Sequence, residues 1–205
     1  MTVSSVAKSI FRLSSAAVFI ASALTVFSPA PDAKERHVTL GSRAAVNTLL
    51  NGNVPWRWQM RAGGTESPRT LLWPVKGRGI GRGYGSRNGT HLAIDITAPV
   101  GTPVRAVARG VVGYADDKVH GYGKLMLVLH PGCGVSLYAH LSGYRVRPGE
   151  RIKRGQIIAL TGSTGISRGP HLHFALFENG KPVNPEPRFQ NIPARRPAIN
   201  IARRE

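Results

Sequence analysis

Residues 171–178 read HLHFALFE, and this stretch decides the fold. Side chains alternate between faces along a β-strand. A strand here puts Leu172, Phe174 and Leu176 on one face, a row fit for a core. His171 and His173 fall on the other face with Ala175 and Phe177. Two imidazoles at that spacing sit roughly 6–7 Å apart at Cα, close enough to share a site. Residues 135–141, VSLYAHL, carry the same alternation. There Tyr138 and His140 are expected on one face, opposite Leu137, Ala139 and Leu141.

Working outward, further short strands are predicted at Leu92–Thr97, Val104–Ala108, Val111–Ala115, Lys124–His130 and Gln156–Thr161. Glycine or proline breaks separate them, as in PVGTP, HGYG, HPGCG and TGSTG. No helix-period segment of useful length stands out after residue 33. Many short, closely spaced strands argue an all-β domain, a barrel or sandwich. GTPVRAVARGVV (101–112) and GERIKRGQII (149–158) resemble each other loosely, as a duplicated β-unit would. The expected organisation is an export signal over 1–33, an irregular linker over 34–70, the β-domain over 71–189 and a basic tail over 190–205. In the first part, Lys8 and Arg12 precede an uncharged run from Leu13 to Phe27, with Ala30 and Ala33 as candidate cleavage ends. That run suits a signal core better than the roughly 20 residues of a spanning helix, so the protein is expected to be exported. Trp56 and Trp58 in PWRWQM suggest a short extended piece resting on an apolar surface.

The chemistry-bearing residues cluster in three places. THLAID supplies His91 and Asp95, YAHL supplies His140, and GPHLHF supplies His171 and His173. Zinc takes imidazole nitrogen and carboxylate oxygen, and a catalytic site uses three protein ligands with the fourth position left to water. The metal brings the pKa of that water towards neutrality, and imidazoles move protons and steady an oxyanion. Four histidines and one aspartate suffice for three ligands and two proton-handling groups. His91 and Asp95 pose a geometric condition. In a straight strand they lie about 13 Å apart at Cα. The chain must bend between them, or His91 must lie in the loop before the strand. His37, His120 and His130 lack such company and read as solvated or locally hydrogen-bonded. The single cysteine, Cys133, excludes an intramolecular disulfide. No G-x-S-x-G nucleophile motif is present. The glycine-rich GRGIGRGYGSR lacks the helix and Lys-Ser/Thr pair of a phosphate loop.

At these residues the sequence resembles the lysostaphin-like (LytM-type, M23) zinc peptidases. HLAID, YAHL and GPHLHF match the family's three motifs, and the resemblance extends over residues 72–188. It implies one zinc ion per chain held by His91, Asp95 and His173, with catalytic imidazoles at His140 and His171. It implies a compact antiparallel β-domain of the duplicated hybrid-motif type. The expected activity is metalloendopeptidase cleavage of peptide stems or cross-links in peptidoglycan. The other function kept open is a non-catalytic wall-binding or amidase-activating module of the same family. Two positions depart from the pattern: Ala93 stands where glycine is usual, and Ala175 where glutamate often is. Ala93 matters if the backbone there is left-handed.

The charge is lopsided, 28 Lys+Arg against 10 Asp+Glu, formally +18. Such a surface favours anionic wall or outer-membrane components. Aromatic residues are sparse and no strand interleaves them with basic residues, so nucleic acid is not expected as a partner. The expected state is a monomer.

Overall fold

The structure, a computed structural model, describes residues 38–64 and 68–193. The signal expected at 1–33 and the tail beyond residue 193 lie outside the described residues. In place of an irregular stretch before Leu71 there are two short helices, α1 (Arg43–Leu50) and α2 (Trp56–Ala62). Ser42 caps α1 by accepting from the Ala45 N–H, and α2 ends at Gly63 in the left-handed conformation. Each helix is about two turns long, too short for a 3.6-residue period to stand out. The tryptophans of PWRWQM are therefore helical rather than extended: Trp58 is buried and Trp56 exposed.

Twelve strands follow. They are β1 (Leu71–Leu72), β2 (Ile80–Arg82), β3 (Ile94–Thr97), β4 (Pro103–Arg105), β5 (Gly110–Asp116) and β6 (Lys124–Leu129). The rest are β7 (Val135–Tyr144), β8 (Arg151–Ile152), β9 (Ile157–Thr161), β10 (His171–Glu178), β11 (Lys181–Val183) and β12 (Phe189–Gln190). Ten form one antiparallel sheet whose main path runs β2-β3-β10-β7-β6-β5-β8. β1 and β12 form a separate parallel pair. The all-β, antiparallel expectation holds. The two similar stretches also embrace reciprocally. β4 of the first pairs with β9 of the second, and β5 of the first with β8 of the second.

Alternation splits the core in two. Leu172, Phe174 and Leu176 of β10 pack with Ile94 and Ile96 of β3, Tyr138 of β7 and Met126 of β6. On the other face Ala175, Leu137, Leu125 and Leu127 pack against Ala45, Leu49 and Trp58 of the helices. The expected division of faces in β10 is thus observed. The helices cover this second face over β5 and β6. Towards β3 and β10 it stays open, and His171 and His173 stand there.

β7 departs from the expected alternation. Its register with β6 shifts between Met126↔Tyr138 and Lys124↔Leu141, leaving one extra residue in β7. His140 sits at that irregularity with φ +58. A bulge residue in the left-handed region breaks the period of two. Tyr138 and His140 therefore do not share a face. Tyr138 is buried against Phe174, and its hydroxyl accepts from the Val107 N–H. Leu141 joins the Tyr138 core instead of that of Leu137 and Ala139.

Candidate metal centre

The site is assembled along one cross-strand row. Arg82 of β2 pairs with Asp95 of β3, Asp95 with His173 of β10, and His173 with Ala139 of β7. Paired residues in an antiparallel sheet project to the same side, so this register brings the carboxylate and the imidazole together. His173 Nδ1 lies 2.9 Å from Asp95 Oδ1. A regular β7 would turn His140 to the opposite face, behind Ala139. The bulge turns it forward, and its ring centroid lies 4.8 Å from that of His171 and 5.6 Å from that of His173.

His91 meets the geometric condition by standing in the loop before β3. A tight turn through Arg87 and Asn88 folds the chain back, and Ser86 and His91 form an isolated antiparallel bridge. His91 Nε2 lies 3.2 Å from Asp95 Oδ1. Ala93 is buried and is not left-handed, so alanine carries no backbone penalty there. Ala175 packs with Ala93 and Ala139 in the second core. All five predicted residues thus converge. The ligand atoms of His91, Asp95 and His173 lie within 4.8 Å of one another, as do those of His140, His171 and His173.

Hydrogen-bond partners fix which ring nitrogen carries the proton. His91 Nδ1 is 3.2 Å from the Gly83 carbonyl, His140 Nδ1 2.8 Å from the Thr164 carbonyl, and His171 Nδ1 2.7 Å from the Gly169 carbonyl. A carbonyl only accepts, so each Nδ1 donates, and each neutral ring keeps an unprotonated Nε2. In that form the His91 lone pair faces the Asp95 carboxylate at 3.2 Å, two acceptors that a bound cation would bridge. A His2Asp donor set, with His91 backed by the Gly83 carbonyl, suits zinc. Burial pushes the Asp95 carboxyl up, but the hydrogen bond and positive field of His173, helped by His91 and His171, outweigh it and hold the group below its ordinary value. Burial pushes the His140 imidazole below its ordinary value against the Thr164 hydrogen bond, with His171 and His173 adding to the lowering.

Two partners escape a reading of the motifs. Arg82 places Nη1 3.0 Å from Asp95 Oδ2, leaving Oδ1 to face the histidines. Its signal lay in the glycine-rich stretch, but only the β2–β3 register reveals it. The ring of Tyr122 stands 6.0 Å from that of His173. His130 is buried elsewhere, its Nδ1–H donating to the Arg109 carbonyl and its Nε2 2.7 Å from Ser136 Oγ. That is the local hydrogen-bonding role expected of it. Cys133 remains a free, half-buried thiol.

The family model for peptidase family M23 matches residues 89–185, which hold all five residues. The chain is also 30% identical to a solved catalytic-domain variant of the prophage-encoded M23 protein EnpA from Enterococcus faecalis. It covers 95% of that domain and 60% of itself, at a TM-score of 0.50. The chain belongs to peptidase family M23. It is 42% identical over 123 residues to a lipoprotein NlpD/LppB homolog of Pseudomonas aeruginosa. It is 46% identical over 95 residues to the DD-carboxypeptidase/endopeptidase Mpg of Neisseria meningitidis. The match covers 60% of this chain in the first case and 46% in the second, but only 40% and 22% of those relatives. The murein hydrolase activator NlpD of Escherichia coli is 40% identical over 122 residues, 59% of this chain and 32% of that protein. A zinc-containing peptidase from Vibrio cholerae superimposes with a TM-score of 0.52 at 31% identity, covering 57% of this chain and 39% of the other.

Proposed function

We propose that this M23 chain is an exported zinc metalloendopeptidase that hydrolyses peptide stems or cross-links of peptidoglycan. The observation that carries the proposal is the convergence of all five side chains, with the Nδ1 protons of His91, His140 and His171 committed to backbone carbonyls. His91, Asp95 and His173 would hold the ion. Bound zinc supplies Lewis acidity and a water that ionises near neutral pH. Arg82 neutralises the far oxygen of Asp95 and fixes its rotamer. His140, neutral and anchored by Thr164, offers Nε2 as the base that takes a proton and returns it to the leaving amine. His171, anchored by Gly169, stands beside it to steady the developing oxyanion. Export rests on the N-terminal sequence and agrees with a relative named as a lipoprotein. The peptidase unit is proposed to span residues 71–189.

The E. coli relative carries the name of an activator, which keeps a non-catalytic role as the rival reading. Digestion of purified peptidoglycan followed by mass spectrometry of the products separates the two. Wild-type protein releases peptide fragments, a chelator stops this, and zinc restores it. His173→Ala loses both zinc and cutting. His140→Ala keeps zinc and loses cutting by about 10²–10⁴-fold. Equal action of all three proteins on the wall makes the chain a binding module, and full cutting after complete metal removal ends the zinc reading.

A further inference from the structure

The groove over the histidines, about 880 Å³, carries a charge pattern that the proposed chemistry does not use. Arg78, Arg82 and Arg87 line it from the segment around β2, and Arg168 lines it from the loop before β10. Asp95 is the sole carboxylate among the lining residues, and Arg82 already engages it. Among the described residues, the guanidinium groups of Arg78, Arg87 and Arg168 have no acidic partner. Arg87 is also placed at a cost. Arg87 and Asn88 are consecutive non-glycine residues in the left-handed region, at φ +58 and +56. The turn they make is closed by the His91 N–H donating to the Ser86 carbonyl, so the device that seats His91 presents Arg87 at the groove.

Unpaired arginines on two walls of one cleft form a receptor for carboxylates, because the planar fork of a guanidinium matches a carboxylate. We infer that the groove selects an acidic stem peptide. Its free carboxylates dock on Arg78 and Arg87 on one side and on Arg168 on the other. Neutral glycine bridges and amidated stems are poor ligands. The inference rests on the proposed peptidase reading for the identity of the ligand, but its test does not depend on turnover. A generic polyanion site, for nucleic acid or an anionic wall polymer, is the competing outcome.

The test is fluorescence polarisation on the full chain supplied with zinc. The probes are a labelled acidic stem tetrapeptide and the same peptide with every carboxylate amidated. Three pairs of modest strength, two exposed and one half-buried, predict that amidation weakens binding by about tenfold. R78Q/R87Q/R168Q binds both peptides alike, at the weaker level, with its zinc content unchanged. Equal binding of the two peptides by wild-type protein overturns the inference, as does continued discrimination by the triple variant. Displacement of the acidic peptide by polyphosphate at matched charge, with no effect of amidation, assigns the arginines to a polyanion site. Discrimination without any wall cutting upholds the receptor and removes the peptidase reading. Cutting without discrimination does the reverse.

Discussion

Gly165→Ala tests how His140 is held. Gly165 has φ +71, and a Cβ added there lies 2.3 Å from Gly123 N and 2.6 Å from the Gly121 carbonyl oxygen. Two costs follow. A left-handed alanine is disfavoured by roughly 1–2 kcal/mol. The loops at 121–123 and 162–166 must also part by roughly 1.1 Å to restore ordinary contact. His140 is tied to both loops, since its N–H donates to the Tyr122 carbonyl and its Nδ1–H to the Thr164 carbonyl at 2.8 Å. Parting them therefore drags the imidazole. A misplacement near 1 Å costs on the order of 10²-fold in rate, so the expected fall in kcat is about 10- to 100-fold. Zinc affinity is expected to stay within about twofold, because Asp95 and His173 are held by the pairing of β3 with β10 and His91 by its bridge to Ser86, and none of the three hydrogen-bonds to these loops. The assay pairs steady-state cleavage of a wall peptide with zinc titration against a chromogenic chelator. A kcat within twofold of wild type refutes the reasoning. So does a zinc affinity that falls in step with kcat, which would make the damage general.

Other expectations follow from single contacts. Arg82→Gln removes the cation on Asp95 Oδ2 and is expected to weaken zinc binding by about tenfold, the usual size for a supporting contact; an unchanged affinity in competition titrations removes Arg82 from the centre. Burial holds His130 down at about 4, against the hydrogen bond to Arg109, while the unfolded chain titrates near 6.5. The unfolded state then binds the extra proton first, so stability falls as pH drops from about 6.5 to 4 and levels off below, by roughly 3 kcal/mol. Urea melts of wild type and His130→Gln across that range check this, and parallel pH profiles contradict it. Ser42→Ala removes the cap of α1 and is expected to cost about 1 kcal/mol in the same melts; no loss would mean that packing alone holds the helix.

The face division of β10 was legible because His171, Leu172, His173 and Phe174 alternate polar and apolar, which sets the faces for the rest of the strand. The longer strands could be located for the same reason. β1, β8 and β12 are two residues each, too short for any period, and they exist only because tertiary partners pair them. The helices α1 and α2 were illegible for a related reason: two turns give at most two or three core contacts. At the site, residue types and motif spacing pointed to all five converging groups. The face of His140 was misjudged, because alternation assumes a strand without insertions. Nothing local in YAHL announces a left-handed histidine; the shift appears only in the register with β6. Arg82 was out of reach because its partner is set by strand pairing.

The single inserted residue in β7 also separates what the protein is from what it does. Everything that keeps the sheet folded reads β7 through Leu137, Tyr138, Ala139 and Leu141, whereas the proposed proton transfer reads it through His140 alone. Deleting one residue at the bulge would restore an ordinary ladder and relax a left-handed backbone while withdrawing one imidazole from the groove. Drift in such a sequence has an easy downhill step, from a strained strand that reacts to a relaxed one that only binds. On the proposed reading, a lineage on this scaffold keeps β7 kinked only while selection acts on the reaction itself.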